Sequence, residues 1–121
     1  MEMPMSEILD RYTITQIRSE RTERDVAEEL SLYEKALSFH DLSTYAPLLE
    51  KLYNANLDLW KMEEKINETI SQVEPDYNAV GNFAMRARHI NRERNEIKEE
   101  ISKSFDKIAL HYGKVKYGLL L

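Results

Sequence analysis

Apolar residues recur at alternating steps of three and four along Tyr45, Leu49, Leu52, Asn56, Leu59, Glu63, Ile66, Ile70 and Val73, the heptad rhythm of a helix packed along a partner. A second run carries the rhythm through Phe83, Ala87, Ile90, Arg94, Ile97, Ile101, Ser104 and Ile108, after an interruption holding Glu74, Pro75, Asp76 and Gly81. Folding the chain back at that interruption predicts a long antiparallel helical hairpin over 44–112. Aligning the apolar members sets the register, with Val73 facing Phe83, Ile70 facing Ala87, Ile66 facing Ile90, Leu59 facing Ile97 and Asn56 facing Ile101. In that register Glu63, the one carboxylate of the first seam, faces Arg94, the one guanidinium of the second. An ion pair there would fix alignment, as polar groups at seam positions do at some cost in stability.

The pattern before the hairpin, over 1–43, predicts one or two shorter helices. Ser6 is placed to cap the first, with Glu7 and Asp10 favouring its positive N-terminal end, and Ile8, Leu9, Tyr12 and Ile17 share a face. The polar run from Ser19 to Glu23, with Thr22 and Asp25 spaced as in a capping arrangement, predicts a bend. Val26, Leu30, Tyr33 and Leu37 form the next apolar stripe. His40 to Ser43 connect it to the long helix, where Pro47 suits the first turn, and Asn78 or Asn82 is placed to cap the helix after the turn. The fold class expected is therefore all-α and bundle-like, a single domain with N-terminal helices on a hairpin.

Two apolar features exceed what the hairpin needs. Besides its seam the long helix carries Leu48, Tyr53, Leu57, Trp60 and Met62, a second face centred on Tyr53, Leu57 and Trp60, which the N-terminal helices would cover in part, leaving the rest as a homodimer interface. The tail over 113–121 contains VKYGLLL, which either packs back on the bundle or meets another chain.

Composition narrows the function classes. With 121 residues there is room for one core, and 32% charged residues with only three glycines and three prolines suit solvated helices rather than a turn-rich β fold. A net charge of -5 argues against general nucleic-acid binding, which depends on Lys and Arg neutralising phosphate. There is no cysteine, so thiolate metal sites and disulfides are excluded. No apolar run approaches ~18 residues and the start lacks the blocks of a signal peptide, so no membrane insertion and a cytoplasmic location are expected.

Candidate chemistry is sparse. Glu63, Asn91 and Arg94 could line a polar ligand pocket, although a register-fixing role weighs more heavily. His89 and Glu93 have metal-ligand spacing, but no second Glu-x-x-His accompanies them. The acid pairs Glu20/Glu23 and Glu93/Glu96 suit solvated faces. With no phosphate loop and no nucleophile elbow, no cofactor or metal is expected. The leading reading is a non-enzymatic interaction protein, homodimeric or with another protein partner.

The stretches SEILDRYTITQIRSER, LYNANLDLWKMEEKI and NRERNEIKEEIS resemble DUF6165, a family of small uncharacterised bacterial proteins. The matching positions are Leu9, Asp10, Thr13, Ile14, Ile17, Glu20 and Arg21, then Leu59, Trp60, Glu63 and Ile66, then Asn91, Arg94, Lys98 and Ile101. Ser6 and Tyr12 depart from the family's Gly and Leu. The resemblance implies a helical fold without a known activity, and a loose association with surface-polysaccharide genes. The runner-up reading is accordingly a small ligand-binding protein or enzyme using Glu63, Asn91 and Arg94, linked to surface-polysaccharide or nucleotide metabolism.

Overall fold

The computed structural model describes residues 3–112, with side chains to Phe105. Four helices occur there, α1 (Met5–Arg21), α2 (Ala27–Leu37), α3 (Leu42–Ile70) and α4 (Tyr77–Tyr112), and no strand is present among the described residues. The protein is all-α and bundle-like. Helices α3 and α4 form the hairpin, and α1 packs on both of its arms and on α2. The tail over 113–121 lies outside the described residues, as do the side chains of Ile108 and His111.

Local chemistry sets the ends. Asp41 caps α3 by accepting a hydrogen bond from the Ser43 backbone N–H at 3.1 Å, so the helix starts two residues before the expected Thr44 and Pro47 falls inside it rather than in its first turn. Asp76, not Asn78 or Asn82, accepts from the Ala79 N–H at 3.1 Å and caps α4. Gly81 therefore sits within that helix rather than in the turn. Ser6 does not cap α1. The helix begins at Met5, the Glu7 and Ile8 N–H groups bond to the Pro4 carbonyl, and Ser6 is buried within it. The bend expected near Ser19 to Glu23 falls at Thr22 to Val26, where Asp25 accepts from the Ala27 N–H at 3.1 Å.

The core has two parts. Leu9, Leu37, Tyr45, Leu48, Leu52, Ile101 and Phe105 make one, joining all four helices. Ala55, Met62 and Ile90 make the other, with Leu59, Phe83, Ala87 and Ile97 against them. These memberships correct the expected register. Ile90, expected opposite Ile66, clusters with Ala55 and Met62, and Ile101, expected opposite Asn56, clusters with Leu48 and Leu52. The offset is about one helical turn of 3.6 residues. Helix α3 ends at Ile70, so Ile70 (51% exposed) and Val73 (101%) leave the seam, and the rungs proposed with Ala87 and Phe83 do not form. Tyr77, the first residue of α4, is exposed as well.

Candidate functional site: a buried polar clasp between α1 and the hairpin

The face of α1 that meets the hairpin carries Ser6, Asp10, Thr13 and Ile17, positions separated by helical steps of three and four. Three of the four are polar and buried, and groups so placed must find partners. The amide nitrogen of Asn56, buried on α3, donates to Asp10 Oδ1 at 3.0 Å and to Thr13 Oγ1 at 2.8 Å. Thr13 in turn donates to the Asp10 carbonyl oxygen at 2.8 Å.

The second arm of the hairpin closes the cluster. Arg94 Nε donates to Asp10 Oδ1 at 3.0 Å, and a terminal guanidinium nitrogen donates to Oδ2, the two-pronged geometry that makes Arg–carboxylate pairs strong. The other terminal nitrogen donates to Asn91 Oδ1 at 3.0 Å. One turn along α4, Lys98 Nζ donates to Glu7 Oε1 at 2.6 Å and stands 3.7 Å from Asp10 Oδ2. Two acids of α1 thus face two bases of α4, and the pairs run in opposite chain directions. No buried side-chain nitrogen or oxygen among the described residues lacks a partner.

Burial alone pushes the Asp10 carboxyl up. Hydrogen bonds from Arg94 and Asn56 and the charges of Arg94 and Lys98 together outweigh that penalty and hold the group below its ordinary value, so it is ionised at neutral pH. What this arrangement can do chemically follows from its closure. Asp10 is nearly inaccessible and its carboxylate accepts hydrogen bonds at both oxygens, and all three nitrogens of Arg94 have acceptors. The cluster therefore ties α1 to both α3 and α4.

The expected pair of Glu63 with Arg94 is not formed. Glu63 is exposed, and the acid that Arg94 engages is Asp10. The register offset is the physical reason, because the α3 position that turns inward there is Met62. Asn91 does join Arg94, at an exposed edge of the cluster. Asn56, expected to face Ile101 across the seam, instead bonds Asp10 and Thr13 of α1. Asp10, Glu7 and Lys98 escaped the apolar periodicity altogether. The signal that could have found them is the match between Glu7/Asp10, three apart, and Arg94/Lys98, four apart, which puts complementary charges on facing stripes.

The second face of α3 is partly covered by α1. Tyr53, Leu57 and Trp60 are each half-buried. The Tyr53 hydroxyl donates to Glu20 Oε2 at 2.6 Å, and this bond, then burial and the Glu20 charge, raise the phenol above its ordinary value. Arg21 reaches Glu64 at 3.1 Å alongside. His89 and Glu93 bond each other at 3.1 Å on an exposed face, and no group of three or more His, Cys, Asp or Glu among the described residues is placed to hold a metal ion. No helix among the described residues is long and apolar enough to cross a membrane.

Comparisons with protein-family models, with curated proteins and with solved structures found no match.

Proposed function

We propose that this chain is a non-enzymatic helical interaction module that works by packing against another polypeptide, first of all a second copy of itself. The observation that carries the reading is a contrast between inside and outside. The buried ionisable groups are committed to one another in the clasp, whereas large apolar side chains stand in water. Leu32, Phe39 and Leu42 do so around the α2–α3 corner, and Ile70, Val73 and Tyr77 at the hairpin tip. The half-covered strip at Tyr53, Leu57 and Trp60 lies on the long arm between them. Apolar surface of this kind marks interaction sites when it is contiguous, and small helical chains commonly complete a bundle by dimerising. A soluble, cytoplasmic setting accords with this reading.

The strip around Leu57 and Trp60 is the proposed dimer face, because it is the apolar surface that the chain's own helices leave half-finished. Light scattering on the full chain should give a dimer mass, and Leu57→Lys should shift it to monomer without loss of helical signal. A monomer across the whole micromolar range in the unaltered chain would remove the proposal.

An affiliation with DUF6165 is proposed alongside. Its support is that Asp10, Thr13, Arg94 and Lys98, four of the positions carrying the resemblance, meet in one cluster. The alternative of a small-ligand protein draws on the exposed edge where Asn91 and Arg94 adjoin, with Glu63 set apart from them.

A further inference from the structure

A cleft of about 160 Å³ opens where α1, α2 and the start of α3 converge. Leu37 and Tyr45, both buried, make its floor, and Tyr12 and Leu49 make half-buried walls. Glu34 and Leu42 stand at the exposed mouth. The volume is similar to that of a cavity that admits benzene, so the cleft suits a group of a few heavy atoms.

Its chemistry is selective. Two phenol rings line it, and aromatic faces attract organic cations through their quadrupole. One carboxylate lines it too, and among the described residues no basic side chain lies within salt-bridge reach of Glu34. Its charge reaches inward: burial first, then Glu34, then Tyr45 push the Tyr12 phenol up. An aromatic ring in the floor, another in the wall, apolar side chains beside them and a carboxylate at the rim with no ion-pair partner among the described residues are the features that recognise an ammonium carrying methyl or methylene groups.

We infer that this cleft binds a small organic ammonium ion, its alkylated cationic end between Tyr12 and Tyr45 and its charge against Glu34. The site is separate from the clasp and from the proposed dimer face, so it can be tested without either. Isothermal titration of the full chain with choline should give saturable binding. The uncharged carbon isostere 3,3-dimethylbutan-1-ol should bind at least about tenfold more weakly, and Glu34→Gln should lose about tenfold in choline affinity. Glu34 is exposed, so the Gln variant should keep the wild-type melting temperature, which separates loss of the site from loss of the fold. Absence of binding at millimolar choline, equal binding of the isostere, or unchanged affinity in Glu34→Gln would each overturn the assignment.

Discussion

Asp10 is the residue on which α1, α3 and α4 converge, and the choice Arg94 makes of it over Glu63 is decided by reach rather than by seam position. Asp10 arrives from α1 with both carboxylate oxygens aligned to the guanidinium, whereas Glu63 lies exposed on α3. Glu63→Ala should therefore change the free energy of unfolding by less than about 0.5 kcal/mol, as surface substitutions do, measured by urea denaturation. The Asp10 carboxyl is held below its ordinary value, so its contribution to stability is complete above the unfolded-state value, near pH ~4, and disappears as pH falls through the folded value. Against Asp10→Asn, the wild-type advantage measured by denaturant titration should be constant from neutral pH to about 5 and shrink below about 4. An advantage that grew on acidification would contradict the assignment. Residues of this type were hard to read from sequence. Acids in the first turns of a helix are commonly exposed partners of its dipole, and nothing in an apolar pattern distinguishes Asp10 from Glu7.

At the scale of elements, the helices were legible and their mutual offset was not. Phe83, Ala87, Ile90, Arg94, Ile97 and Ile101 mark the inward side of α4 in the sequence and in the structure, because a long amphipathic stripe admits few alternatives. On α3 the step after Leu59 is ambiguous. A stride of four reaches Glu63 and a stride of three reaches Met62, both compatible with a heptad, and the attraction of an acid facing Arg94 favours the wrong one. Helix α1 resolves the ambiguity by bringing its own acid, Asp10. Turn chemistry misled in a similar way at Gly81, which resembles a breaker but lies inside α4 with no positive φ. A Cβ built there would meet nothing within 4 Å. Gly81→Ala should then stabilise the protein by about 0.5–1 kcal/mol, read as a rise in the denaturation midpoint. A loss of stability would place that residue outside regular helix.

For the whole molecule, the clasp ties α1 to both arms of the hairpin within the single domain. Helix α1 is 17 residues long, and most of the stability of such helices comes from tertiary packing. It buries Leu9 and Ile17, and the ion pair adds orientation to that apolar attachment. Removing one charge strands the other in a place where water reaches it poorly, while removing both need cost little. The central claim is therefore tested most directly by a double-mutant cycle in urea on Asp10→Leu, Arg94→Met and the pair. Each single change should cost about 3 kcal/mol, at the low end for a buried pair because Arg94 keeps 21% of its side-chain surface exposed. The double change should cost clearly less than the two singles added together. Strict additivity of the two losses, or a coupling of Arg94 to Glu63 in place of Asp10, would contradict the account.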